Sequence, residues 1–341
     1  MKQAILYGAG DLRIEEVLLE ADSLEPDQIY VETEVSALST GTDLGNYLGD
    51  STYVPGAPRY PRWVGYSNVG VIRRVGELVE GFKPGMRVFS PRPHQSAYIA
   101  RQNELLVPIP KSLSSEEASL AYLTHLGLAP LRQARYEPGE NVAVVGLGVI
   151  GLCTIWLARA MGAKVVGIAN SPIRVESALQ LGAHAAFLAD DPEIHQKLKE
   201  VLGEVGTDIV VLTANPWNAY RLSLEIVRYA GRVSILGFPG RGQEPPDFNP
   251  LDPRWLYGKQ LTVLGAGFAP KADCRPEDLR FNTRRNLQYI LDLMAFHHPR
   301  IKSVISHHLP ASRMKEAYEL AKDHSKSLLA AVFDWRSAEW G

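Results

Sequence analysis

The residues whose types and spacing most plainly suit chemistry are Gly146, Gly148 and Gly151, within VAVVGLGVIGLCTIWLARAMGAKVVGIANS. They form G-x-G-x-x-G directly after an apolar run and at the start of a helical one. The first glycine permits a tight turn, the second lets backbone approach a pyrophosphate, and the third brings helix close to strand. Val149 and Ile150 open the helix, whose free N–H groups then face the phosphates. A bland glycine turn is the competing explanation. The second apolar run, KVVGIA, stands where a strand–helix–strand unit requires it, so a dinucleotide site is expected.

The end of that second strand separates the two nicotinamide cofactors. An acidic residue there would bond the adenosine ribose and repel a 2′-phosphate. The strand ends Ile168, Ala169, Asn170, Ser171, with Arg174 close behind and no carboxylate before Glu176. NADP(H) is therefore the expected cofactor, with NAD(H) as the alternative, because Asn170 and Ser171 are also ordinary turn residues and Arg174 an ordinary helix charge. Thr213, Gly237 and Phe238, at the ends of the apolar runs DIVVLTA and RVSILGF, complete the set assigned to the cofactor.

The elements that must carry this set come in two styles. Up to about residue 110, short runs such as QAILYG, IYVETEVSAL and VGVIRRVG alternate with glycine and proline, which predicts a mainly β domain. SLSSEEASLAYLTHLGLAPLRQA then reads as a helix with a capping box at Ser114 and Glu117 and a break at Pro130. From Glu140, apolar strands alternate with helical stretches, the signature of a parallel sheet flanked by helices. The tail predicts a helix near Asn286–Phe296, a strand at KSVIS, the helix SRMKEAYELAK and a last strand SLLAAVFDW.

Bulk composition excludes several classes. The 341 residues suit two domains, and 45% hydrophobic with 22% charged residues fills both cores without disulfides. A net charge of -2 with mixed signs suggests neither nucleic acid nor membrane as partner. Cys153 and Cys274 belong to no Cys-x-x-Cys or Cys/His cluster. The N-terminus lacks a basic-then-apolar leader, so cytoplasmic location is expected; the apolar run Val142–Ala158 is short for a span and glycine-rich.

The whole chain resembles the medium-chain dehydrogenase/reductase superfamily. GVIRRVGELVEGFKPGMRVF, YEPGENVAVVGLGVIGLCTIWLARAMGAKVVG and SVISHHLPASRMKEAYEL carry the likeness. It implies an α/β protein in which a Rossmann-type doubly wound parallel sheet domain, 122–298, is inserted in a mainly β GroES-like catalytic domain, 1–121 completed by 299–341. It also implies a homodimer or homotetramer. In the zinc alcohol dehydrogenases of that superfamily, a cysteine, a histidine and a third ligand hold a catalytic metal. Here the resemblance puts Thr40, Tyr66 and Ala121 at those places, and Ser67 where a glutamate follows the histidine. Threonine, tyrosine and alanine do not make a zinc site, and the cysteine-rich structural zinc loop is missing, so the chain resembles a zinc-free member.

Without a metal, a preorganised hydrogen-bond donor must stabilise the oxyanion. By resemblance Tyr66 is the first candidate, Thr42 the proton-relaying hydroxyl, Thr40 and Ser67 secondary donors, and His125 a residue beside the nicotinamide. Each also has a plain structural explanation: Tyr66 as a cleft wall, Thr42 as a turn residue, His125 as a hydrogen-bonded helix histidine. His297-His298 and His307-His308 make poor metal ligands, since neighbours on one element point apart. Asp43 and Glu77 read as turn or surface acids. NYLGDSTYVPGAPRYPRW, with Tyr47, Tyr53, Tyr60 and Trp63, could wall a pocket for a large or aromatic small-molecule substrate. The expected activity is hydride transfer between NADP(H) and an alcohol or ketone. Reduction of an activated C=C bond, as in quinone and enoyl reductases, and nucleotide binding without turnover are the alternatives.

Overall fold

The structure, a computed structural model, describes residues 1–49, 59–267, 281–297, 301–337 and 340. Tyr53, Cys274 and His298, considered above, lie outside them. The chain begins with β1 (Lys2–Leu6), β2 (Leu12–Glu16), β3 (Gln28–Ala37), α1 (Thr42–Tyr47), β4 (Arg62–Trp63) and β5 (Asn68–Val75). β6 (Arg87–Ser90), β7 (Ala97–Arg101), β8 (Val107–Pro108), α2 (Ser115–Ala118) and α3 (Ala121–Gln133) follow. An alternating series comes next: β9 (Asn141–Val145), α4 (Val149–Ala160), β10 (Lys164–Ala169), α5 (Pro172–Gln180), β11 (Ala185–Leu188) and α6 (Ile194–Leu202). β12 (Thr207–Leu212), α7 (Trp217–Ile226), β13 (Val227–Ile235) and β14 (Thr262–Gly265) complete that series. The chain closes with α8 (Thr283–Phe296), β15 (Ile305–Pro310), α9 (Met314–Lys322) and β16 (Ala330–Asp334).

These elements group into two units. The first holds everything up to Tyr122 together with α8 and the chain from Ile305; the second holds Leu123 onward through β14, with Ile301–Val304. In the first unit, β2-β1-β4 form a small antiparallel sheet, while β15-β16-β3-β5-β6-β8, with β7 also on β3, form a larger one. β3 alternates as a half-buried strand should: Ile29, Val31, Thr33 and Val35 are buried between more open neighbours. Tyr47, Leu38, Tyr318 and Phe333 fill the core between α1, α9 and the sheets.

In the second unit all strands are parallel, in the order β11-β10-β9-β12-β13-β14. The central strands β9 and β12 are buried at every residue, as a parallel strand covered on both faces requires. The α/β class, with a Rossmann-like doubly wound sheet and a mainly β unit, is as expected. The run Val142–Ala158 divides into strand, glycine turn and helix, and among the described residues no helix is long and apolar enough to cross a membrane.

Three local expectations are corrected. The helical segment breaks at Ser119 and Leu120, between α2 and α3, and Pro130 sits inside an unbroken α3. The helix continues past it: the Pro130 carbonyl accepts the Ala134 amide at 2.9 Å in the ordinary helical pattern and also the Ser234 hydroxyl at 3.0 Å. KSVIS begins as a 3-10 turn, Ile301–Val304, and the strand starts at Ile305. α8, expected with the nucleotide domain, groups with the first unit, because Arg284 donates to the carbonyls of Leu106 and Glu104 at 2.7 and 2.6 Å. The capping box at Ser114 and Glu117 is present.

Candidate active site

The glycine turn of the second unit is built by exclusion. Gly146 has φ +96°, and a Cβ there would lie 2.6 Å from the Ala214 nitrogen. A Cβ on Gly151 would lie 2.0 Å from the Gly146 carbonyl oxygen, so α4 approaches the turn as only glycine allows. Gly148 differs, since a Cβ there would meet nothing within 4 Å. It caps α4 and brings no side chain to that end, where the first-turn N–H groups of a helix lack intrahelical partners. An anion cradle of this kind suits a pyrophosphate.

The remaining residues assigned to the cofactor divide by what they touch. The Thr213 hydroxyl donates to the Gly146 carbonyl at 2.5 Å and so pins the turn. Gly237 packs where a Cβ would sit 2.6 Å from the Ala214 carbonyl. Phe238 is half exposed, its amide held by Asn215 Oδ1 at 2.9 Å and its ring covered by the Arg241 guanidinium at 5.6 Å. Beyond β10, Asn170 is exposed, while Ser171 is buried at 2% with an Oγ that has no hydrogen-bond partner among the described residues. Arg174, partly buried in the first turn of α5, has no carboxylate partner among the described residues, and burial lowers its pKa.

In the first unit, the polar run Tyr66-Ser67-Asn68 separates into three roles. Ser67 is fully buried and donates to the Ser119 carbonyl, so it is spent on packing rather than available as a donor. Asn68 opens β5, bonded to the Pro93 carbonyl at 3.1 Å and to the Thr33 hydroxyl at 3.2 Å. Tyr66 alone stays partly open. Its phenol donates to Ser39 Oγ and meets the Thr42 hydroxyl, and its ring packs edge-on against Tyr122 at 5.4 Å. Burial and the nearby Asp43 carboxylate raise the phenol pKa, so the group is a neutral donor at working pH.

The residue that ties this arrangement together is Asp43, 1% exposed. Its Oδ2 accepts the Ser39 amide at 2.9 Å and its Oδ1 the Gly65 amide at 3.0 Å, while its own amide donates to the Ser39 carbonyl at 3.0 Å. Burial pushes its pKa up to about 6, opposed by those two amides and by Arg62. His94 lies behind it, fully buried, with Nε2 3.9 Å from Oδ2 and Nδ1 2.8 Å from Ser36 Oγ. Burial pushes the imidazole down to about 3, so a neutral ring faces the carboxylate. Gly65 has φ +85°, and a Cβ there would lie 2.6 Å from the His94 ring.

Sequence reasoning missed Ser39, Asp43 and His94. The carboxylate-to-amide contact spans 22 residues and the imidazole-to-serine contact 58, and no local spacing announces either. Thr40 is half-buried in the turn before α1, and Thr42 is exposed at its first residue. His125, on α3 in the second unit, is 1% exposed, and burial, aided by Arg132, pushes it down to about 4. Of the aromatic segment, Tyr47 is a core residue at 5.2 Å from Tyr318, Tyr60 donates to the Asn46 carbonyl at 2.6 Å, and Trp63 is half exposed.

The positions compared with zinc ligands hold two hydroxyls and the buried methyl of Ala121, a donor set that does not suit zinc. Elsewhere among the described residues, Glu116, His308 and Asp334 come together. Arg336 already occupies that cluster, donating to Glu116 and Asp334 at 2.8 Å each.

A doubly wound parallel sheet with its glycine turn after the central strand, in one chain with a mainly β unit, defines a two-domain, nucleotide-dependent dehydrogenase architecture. Comparison with known proteins agrees. The family described as zinc-binding dehydrogenase matches residues 149–283. Quinone oxidoreductase of Lama guanicoe is 30% identical over 234 residues, covering 67% of this chain and 68% of that protein. Sorbitol dehydrogenase of Bacillus subtilis is 24% identical over 304 residues, covering 78% and 81%. The structure of 2R,3R-butanediol dehydrogenase from Bacillus subtilis superposes with a TM-score of 0.79 at 22% identity, over 98% of this chain and 99% of the other. The chain belongs to the medium-chain dehydrogenase/reductase family, in its zinc-type alcohol dehydrogenase-like branch, and is an oxidoreductase.

Proposed function

We propose that this oxidoreductase works without zinc and uses NADP(H) to interconvert an alcohol and a ketone, the first unit binding substrate and the second the nucleotide. The observation that carries the reading is the hydroxyl cluster of Tyr66, Ser39 and Thr42, at a position where zinc relatives place a metal ligand. In this reading the N–H groups after Gly148 hold the pyrophosphate, and Asn170, Ser171 and Arg174 hold the adenosine end. The nicotinamide, when bound, supplies or accepts hydride.

The chain's own residues do the rest. Tyr66, protonated throughout the neutral range, turns its single O–H from Ser39 Oγ to the substrate oxygen as negative charge develops there. Ser39 and Thr42 then donate their own hydroxyls to the phenol oxygen, and Thr42, being exposed, connects the group to solvent for the proton that replaces the one passed to the substrate. His125 stays neutral and orients rather than protonates.

Reduction of an activated C=C bond is the second reading, favoured by the likeness to quinone oxidoreductase. It needs the same donor, with hydride delivered further along the conjugated system. Turnover of NADPH and NADH against a panel of ketones, enones and quinones tests both. The expected result is NADPH consumption with a ketone. Preference for enones or quinones selects the second reading, and tight NADPH binding with no turnover leaves a nucleotide-binding protein. Stoichiometric zinc in purified protein overturns zinc independence.

A further inference from the structure

We propose that Asp43 is the positioning residue of this site: its buried carboxylate clamps the Ser39 and Gly65 amides and thereby sets the Tyr66 phenol against the Ser39 hydroxyl. The functional part of this inference rests on the reading of Tyr66 as the donor, and the positional part does not.

Tyr66 and Ser39 are carried by different segments. Ser39 follows β3 and Tyr66 precedes β5, and their hydroxyls meet across 27 residues of sequence. Each segment is tied to Asp43 through one backbone amide, at 2.9 Å for Ser39 and 3.0 Å for Gly65, the residue directly before Tyr66. Two amides on two oxygens of one carboxylate fix the separation of the segments as no single contact could, and charged acceptors strengthen both bonds. The acid must be aspartate at this place, because its reach is set by the start of α1, whose first turn it occupies.

The carboxylate is in turn braced from behind. The Trp335 indole N–H donates to Ser36 Oγ at 2.9 Å, and Ser36 Oγ is hydrogen-bonded to His94 Nδ1 at 2.8 Å. His94 Nε2 lies 3.9 Å from Asp43 Oδ2, outside hydrogen-bond range, so the ring packs behind the carboxylate. Gly65 makes room for the ring, since any side chain there would strike it. The hydrogen-bonded line Trp335–Ser36–His94 thus packs behind the carboxylate that holds the two amides.

The test combines Asp43→Asn, which keeps size but loses one acceptor and the charge, with Ser39→Ala and Tyr66→Phe in the full-length protein. The first readout is the ring-carbon NMR resonance of Tyr66 in tyrosine-labelled protein, assigned by its loss in Tyr66→Phe. We expect it to move in Asp43→Asn and in the same direction in Ser39→Ala, with thermal unfolding confirming that each variant folds. An unmoved resonance in Asp43→Asn overturns the clamp, whatever Tyr66 does in catalysis. The second readout is a double-mutant cycle on kcat with NADPH affinity measured alongside. Misplacing the donor should lower kcat about 100-fold with unchanged NADPH affinity, and add little in the Tyr66→Phe background. Multiplying losses, or a loss of NADPH affinity, overturns positioning through Tyr66. A moved resonance with full activity in Tyr66→Phe instead defeats the donor reading and leaves the clamp standing.

Discussion

Asp43 Oδ1 accepts the Gly65 amide at 3.0 Å inside the first unit, and the tyrosine that follows Gly65 donates to the serine held by the other oxygen of the same carboxylate. A side chain that reads as a surface acid is therefore the point at which the loop after β3 and the loop before β5 are joined. Its burial costs charge stability, and the two amides, with Arg62 near, offset part of that cost.

Tyr66→Phe removes the donor and little else, since the ring still packs on Tyr122. Loss of one preorganised donor lowers turnover by about 10²–10³-fold. We expect kcat to fall by that order with the dissociation constant for NADPH unchanged, as steady-state kinetics and a binding titration will show. Because the phenol pKa is raised above its ordinary value of 10, the wild-type rate should show no loss from tyrosine ionisation up to that pH.

Two of the fingerprint glycines, Gly151 and Gly148, should respond differently to alanine. At Gly151 the added Cβ strikes the Gly146 carbonyl, and overpacking of this kind costs about 1–3 kcal/mol. At Gly148 the backbone is ordinary and the space is open, so Gly148→Ala should keep its melting temperature and lose nucleotide affinity. Thermal unfolding with and without NADPH separates the two, and a destabilised Gly148→Ala apoprotein would contradict the cradle.

Arg174→Ala probes the adenosine end. A charge-assisted hydrogen bond contributes roughly 1.5–3 kcal/mol, which is about 10- to 100-fold in affinity. KM for NADPH should rise by that factor while KM for NADH stays near wild type. Equal effects on both cofactors would remove Arg174 from 2′-phosphate recognition.

His94 sets an acid limit on stability. Its folded pKa, pushed down to about 3 from 6.5, contributes stability that is complete above 6.5 and is lost as pH falls toward 3. Asp43 runs the other way: raised to about 6 from 3.8, it contributes stability present below 3.8 and lost as pH rises through 6. Comparing wild type with His94→Gln by denaturant unfolding leaves the His94 part visible. The wild type should lose up to about 1.4 kcal/mol per pH unit relative to the variant between 6.5 and 3.

The sequence by itself determined what depends on near neighbours. Gly146 needs φ +96°, Gly151 must meet a carbonyl five residues back, and β9, β10 and β12 read as buried strands because each is an unbroken run of apolar or small residues after its first one or two positions. These are local constraints, legible in spacing and residue type, although each of the three strands opens on a polar or charged residue, Asn141, Lys164 or Thr207-Asp208. The break before α3 was misplaced because proline's local penalty is outweighed by the packing of α3, which is buried along most of its length and continues unbroken through Pro130. The tertiary structure alone decided the site. Tyr66, Ser67 and Asn68 are alike in the chain, and only burial and distant partners make one an open phenol and the others satisfied core groups. Asp43 and His94 belong to the site for the same reason: a buried polar group is defined by what lies opposite it, and here that partner comes from another segment of the sheet.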